Sequence, residues 1–210
     1  MSPLHQDLLT AAAALESALI RRLTDNATIG VRVRAPKDIQ GDPACVAAAA
    51  FANLAELRLL FPNTAGAVDL HPAMLNALGP RAIAAAAESA GFAATDVTLE
   101  CDEAGLAALG DDGLPLVEKF KARGFALRLN CSADAPMGLS QRARDVFCSA
   151  QTPATAALAA SADVWADPMA RRLVTAKAAG FELVADNARP EDVSALAEAG
   201  FSAACFATAA

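Results

Sequence analysis

Four times along this chain a helix-type run ends in Gly-Phe and a β-like segment follows at once. The pairs are Gly91-Phe92, Gly124-Phe125, Gly180-Phe181 and Gly200-Phe201. A glycine just past a helix accepts the left-handed conformation that closes the last turn, so this is where it belongs. The phenylalanine is then the first residue to enter the core as the next strand begins. Repeated helix, Gly-Phe, strand units predict alternating β and α elements around a parallel sheet.

Composition narrows this further. The chain has 210 residues, 55% hydrophobic and only 5% aromatic. That is enough for one well-filled core, with alanine allowing close helix packing. A net charge of −7 argues against a general binder of nucleic-acid phosphates. Cys45, Cys101, Cys131, Cys148 and Cys205 are scattered without a CxxC pair, which predicts free thiols in a reducing cytoplasm. His5 and His71 lie near no cysteine, so no structural zinc site is expected. No targeting segment or long uncharged apolar stretch stands out, and a soluble cytoplasmic protein without membrane insertion is expected.

Leu4, Leu8, Leu15, Leu19 and Leu23 fall roughly on one face, which predicts a helix over Ser2–Leu23. It precedes the first expected strand, so the chain divides into an N-terminal helix (1–27) and a barrel domain (28–210). That helix is a candidate homodimer or partner contact. Thr28–Arg34 alternates Ile29, Val31 and Val33 with Gly30, Arg32 and Arg34. The pattern predicts a half-exposed strand with solvated arginines. Further strands are expected at Ala67–Leu70, Asp96–Glu100, Ala126–Leu129, Asp163–Asp167, Glu182–Ala185 and Ala203–Phe206, with a short extra one at Asp145–Ser149. Helices are expected at Ala44–Leu60, Ala73–Leu78, Arg81–Ala90, Leu114–Arg123 and Thr155–Ala160. Two more run from Pro168 to Gly180 and from Arg189 to Gly200. Seven or eight strands favour an α/β fold, a single (β/α) barrel, irregular or incomplete, over an open sheet. Neither GxGxxG nor GxxxxGK[ST] follows any strand.

The order of the strand-end sequences resembles the EAL domain, a bacterial barrel family whose active members hydrolyse cyclic di-GMP with bound divalent metals. GVRVRA at Gly30–Ala35 falls at the glutamate-alanine-leucine signature but contains no glutamate. AVDLHP resembles the strand with a metal-binding asparagine, here Asp69. VTLECDE resembles a strand whose glutamate ligand is matched by Glu100. In GFALRLNCSA the two adjacent aspartates of the family read Asn130 and Cys131, followed by Ser132 and Ala133. DVWAD resembles the segment of the catalytic lysine, and Trp165 stands there. In GFELVADNARPED a family glutamate is replaced by Asp186. The terminal GFSAACF lacks the usual glutamine-glycine.

Metal-assisted phosphodiester hydrolysis needs hard oxygen ligands converging on one or two cations. Asp69, Glu100, Asp186 and Asp167 are the candidates in this chain, at strand ends where a barrel gathers its site. An amide at Asn130 is a weak ligand, and a thiol at Cys131 is poorly matched to magnesium. The resemblance therefore implies a degenerate, non-catalytic member with no metal and no cofactor. Asp69, Glu100, Asn130, Cys131, Trp165 and Asp186 would be the vestigial site positions. Such a domain would act through a protein partner in signalling, motility or cell-cycle regulation. Two rivals stay open. One is a cyclic di-GMP receptor using Arg32, Arg34, Arg128 and Trp165. The other is an unrelated barrel enzyme using Glu100, Asp186 and Asp69, whose acids would converge in a pocket with raised pKa values. The regulatory reading expects a shallow or apolar-plugged mouth. Cys131 with His71 as its base is a further, weaker arrangement.

Overall fold

The structure, a computed structural model, describes residues 12–35, 41–131, 141–160 and 167–208. Eight strands close into a barrel in chain order: β1 (Glu16–Arg22), β2 (Thr28–Arg34), β3 (Ala65–Asp69), β4 (Val97–Asp102), β5 (Ala126–Asn130), β6 (Ser149–Pro153), β7 (Glu182–Asp186) and β8 (Ala203–Ala207). From β2 onward each strand pairs in parallel with the next. The helices are α1 (Pro43–Leu60), α2 (Pro72–Ser89), α3 (Glu103–Ala108), α4 (Gly113–Lys121), α5 (Gln141–Val146), α6 (Ala154–Ala159), α7 (Pro168–Ala178) and α8 (Val193–Glu198).

All four Gly-Phe pairs close helices in the same way. Gly91, Gly124, Gly180 and Gly200 have φ of 86°, 99°, 79° and 87°. Each following phenylalanine donates its amide back five residues, as in Phe92 to Ala87 and Phe201 to Leu196, both at 3.0 Å. These are Schellman motifs, with glycine in the left-handed position and an apolar residue after it. All four phenylalanines are buried where the strand starts.

The N-terminal helix expected over Ser2–Leu23 is replaced by strand β1 across Glu16–Arg22. β1 runs antiparallel to both β2 and β8 and closes the barrel between them. Without it those two strands would present open edges, and closure outweighs the helical spacing of the leucines. Leu19 and Leu23 pack into the barrel's apolar shell rather than forming a helix face. The barrel therefore starts at Glu16, not at residue 28; of the expected helix, residues 12–14 are helical and residues 2–11 lie outside the described residues. The barrel is closed, and among the described residues its irregularities include the antiparallel strand β1 and a register shift against β2 between Ile20 and Arg21.

Two other expectations shift. Asp145–Ser149 is not a strand, since α5 reaches Val146 and the sixth strand begins at Ser149. Cys148 is the link between them, its amide donating to Leu127 of β5. Ala73–Leu78 and Arg81–Ala90 join as α2, kinked where Gly79 takes φ 71° ahead of Pro80. Helix α1 begins with Asp42 accepting the Ala44 amide and Pro43 in its first turn. It packs Val46, Ala50, Phe51 and Leu54 on the sheet. By length and composition alone α1 also meets the test for a membrane span.

Alternation along the strands sorts residues into two environments. Val31, Val33, Val68, Leu99, Leu127, Leu129, Leu183 and Ala204 face outward and form one cluster with the helices. A separate small cluster of Ile20, Ala67, Val184, Ala203 and Cys205 fills the inside of the barrel. Above it the inward positions are polar: Arg32, Glu100, Arg128, Ser149, Gln151 and Asp186.

Candidate functional site: a charged cluster under the barrel mouth

Register places the charged residues side by side. Arg34 lies opposite Asp69, Asp69 opposite Glu100, and Glu100 opposite Arg128 on successive strands. Asp186 comes from the end of β7. All belong to the C-terminal ends of parallel strands, where a barrel exposes its working face.

Arg32 is the centre. Its guanidinium reaches Glu100 Oε2 at 2.6 Å, Asp186 Oδ1 at 2.7 Å and Asp69 Oδ2 at 3.0 Å. The Glu100 contact is one of charges, because Oε2 makes no aligned hydrogen bond. Arg34 lies nearer the mouth and donates from Nε to Asp69 Oδ2 at 3.0 Å and from Nη2 to Asp186 Oδ2. Arg128 donates to Glu100 Oε1 at 2.9 Å and to Ser149 Oγ at 3.1 Å. With its amide nitrogen turned toward Glu100, Gln151 donates to Oε1 at 3.2 Å and accepts from Arg32 Nη2 at 2.9 Å. Asn130 donates to Asp69 Oδ2 at 3.2 Å. Three carboxylates (Asp69, Glu100, Asp186) thus meet three guanidinium groups (Arg32, Arg34, Arg128).

Burial and charge set the proton affinities. Burial and the Glu100 charge push the Asp69 carboxyl up to about 6, against the pull of Arg32 and Arg34. Burial also acts to raise Asp186, but the same two arginines outweigh it and hold that carboxyl below its usual range. Arg32 is buried, yet Glu100, Asp186 and Asp69 hold its proton more firmly than in water.

Over this cluster opens a cavity of about 640 Å³, lined among others by Arg34, Asp69, His71, Asn130, Thr152 and Asp186. Among the described residues the mouth is neither shallow nor plugged by apolar side chains, contrary to what the regulatory reading expected. Its acids converge, as the enzyme reading expected, but only inside ion pairs.

Trp165 lies outside the described residues. The strand beside β5 is Ser149–Pro153, and its buried inward residues are Ser149 and Gln151. Asp167 accepts from the amides of Met169 and Ala170 and caps α7. His71 Nδ1 accepts the Ala73 amide and caps α2. Cys131 lines the cavity, but burial and nearby Glu103 push its thiol up to about 12, which removes the thiolate that nucleophilic attack requires. Arg32 and Arg34 are not on a solvated face: Arg32 is 2% exposed. A β-barrel's second face is its interior, and arginine survives there when acids meet it. Ser149 and Gln151 carried no sequence signal until β6 was placed.

Oxygen ligands alone would suit magnesium or manganese. Here Asp69, Glu100 and Asp186 are each already paired with arginine. Among the described residues no group of three His, Cys, Asp or Glu side chains is placed to hold an ion. The residues present do not fit the divalent metals that the resemblance implies.

No family sequence profile and no curated protein sequence matches the chain. Solved structures do. The PaMucR phosphodiesterase in complex with c-di-GMP is similar with a TM-score of 0.73 at 13% identity, over 92% of this chain and 93% of that one. BlrP1 of Klebsiella pneumoniae, solved with manganese and cyclic di-GMP, gives 0.70 at 16% identity, over 92% of this chain and 54% of that one. The EAL domain of Mycobacterium smegmatis DcpA gives 0.70 at 14% identity, over 92% and 89% of the two chains. Identity at this level carries the fold and not the chemistry. The chain has the closed (β/α) barrel fold of the EAL type.

Proposed function

We propose that this chain is a non-catalytic regulatory domain of cyclic di-GMP-linked signalling in a bacterium, acting in the cytoplasm through a protein partner. One observation supports the reading above all. Asp69, Glu100 and Asp186, the acids at the positions of family metal ligands, are neutralised by Arg32, Arg34 and Arg128. Phosphodiester hydrolysis by this route needs cations that polarise phosphate and lower the pKa of water. A guanidinium offers no open coordination position for that water. The rival in which the same acids act on a small substrate meets the same ion pairs. In the test, the full chain is incubated with cyclic di-GMP and magnesium or manganese. Product formation should not exceed the protein-free rate, and metal-dependent turnover would overturn the proposal.

The cavity of about 640 Å³ favours a second reading, a receptor that binds cyclic di-GMP without cleaving it. Against it stands the use of Arg32, Arg34 and Arg128 on carboxylates. Thermal unfolding separates the two. A nucleotide-dependent rise in midpoint without turnover selects the receptor, whereas an unmoved midpoint leaves the protein partner.

A further inference from the structure

The acids under the mouth already hold cations of the protein's own. We infer that Arg32 and Arg34 are built-in counter-ions, and that removing both guanidinium groups turns Asp69, Glu100 and Asp186 into a site for a hard divalent cation. The inference rests on the non-catalytic reading above. Its basis is convergence: oxygens from β3, β4 and β7 lie 3.0, 2.6 and 2.7 Å from the terminal nitrogens of one guanidinium. Arg34 grips Asp69 and Asp186 as well. Glu100 is fully buried and Asp186 is 6% exposed. Three carboxylates this close cannot all stay ionised in a poorly solvated site unless cations sit among them.

The chemistry of the donor set is specific. All three are hard oxygen donors, suited to magnesium, manganese or calcium, which take oxygens at about 2.0–2.6 Å. Asn130 adds a fourth oxygen: its amide nitrogen contacts Asp69, while its Oδ1 is buried without a hydrogen-bond partner. Arginine spreads the acids across two nitrogens, whereas a single ion draws them to one point. The carboxylates must therefore close inward, by side-chain rotation, into the space the guanidinium groups leave. In the native chain that space is taken, and the mouth is insensitive to divalent ions.

The test compares the full native chain with Arg32→Met/Arg34→Met by thermal unfolding and by manganese titration followed by electron paramagnetic resonance. Native protein should neither bind manganese at the cluster nor shift its midpoint. The double variant should bind it and rise by about 5–10 °C when manganese reaches a hundred times its dissociation constant. Adding Glu100→Gln to the double variant should abolish most of that rise. If the double variant folds only with manganese, the inference is supported. If it folds under neither condition, Arg34→Met alone leaves Asp69 and Asp186 one cation short and should show a smaller manganese-dependent rise; an unmoved midpoint there overturns the inference. A folded double variant indifferent to manganese overturns it too, leaving the non-catalytic reading intact. Native protein that binds manganese and turns over cyclic di-GMP defeats both.

Discussion

The two sides of the barrel wall are built on different physics. Outside, Phe51, Leu54, Leu99, Leu127 and Val33 pack helices onto strands in a continuous apolar layer. Inside, a small apolar cluster around Ile20 and Val184 supports a charged cluster of Arg32, Asp69, Glu100, Arg128 and Asp186. The outer layer gains by removing apolar surface from water, at roughly 25 cal/mol per Å². The inner cluster gains only if each buried charge keeps its partner. The same fold therefore tolerates changes on the two faces by different rules.

Truncation on either face should be costly, and by a similar amount. Phe51→Ala, at a fully buried position, is expected to cost about 3–5 kcal/mol through the cavity it leaves. Arg32→Met is expected to cost about 3–5 kcal/mol because it strands buried carboxylates. Chemical denaturation measures both. What separates them is rescue. Glu100→Leu combined with Arg128→Met removes one buried charge of each sign and leaves Arg32 and Arg34 balanced by Asp69 and Asp186. It should recover most of the loss caused by Arg128→Met alone, since apolar replacement of a buried ion pair is often neutral or better. Should the double variant be as unstable as the single one, the inner cluster contributes more than paired charges.

Proton linkage sharpens the contrast at a smaller scale. Folded Asp69 titrates near 6, against 3.8 for an ordinary aspartate. Between those values the folded state holds more protons than the unfolded one. Stability should therefore fall as pH rises from about 4 to about 6 on this account, and then level off. Asp186 acts in the opposite sense, since its carboxyl is held low: its stabilisation is present above the ordinary value and is lost as pH falls below it. Unfolding midpoints across pH should lose the first slope in Asp69→Asn and keep it in Phe51→Ala. The smallest effect belongs to neither layer. Leu59 is 84% exposed at the end of α1, so Leu59→Ser should change stability by less than about 0.5 kcal/mol.

Much of the outer layer was legible in the sequence. Gly-Phe joints carry both the helix stop and the first core residue, and β2 to β5, β7 and β8 follow their apolar alternation closely. The strand β1 was hidden because Leu15, Leu19 and Leu23 also fit a helix, and only barrel closure decides between them. β6 was hidden for another reason. Its residues SAQTP have no apolar run, because the inward positions carry Ser149 and Gln151 for the polar cluster. The candidate acids Asp69, Glu100 and Asp186 were found from strand-end likeness, but their partners were misread. Alternating arginines in TIGVRVR look solvated until the second face is known to be a barrel interior already holding acids.

A crystal structure of the native chain grown with manganese tests the central claim most directly. The account predicts Arg32 within about 3 Å of Asp69, Glu100 and Asp186, with no anomalous manganese peak among them. A manganese ion bound between those carboxylates, with the arginines turned away, would contradict it.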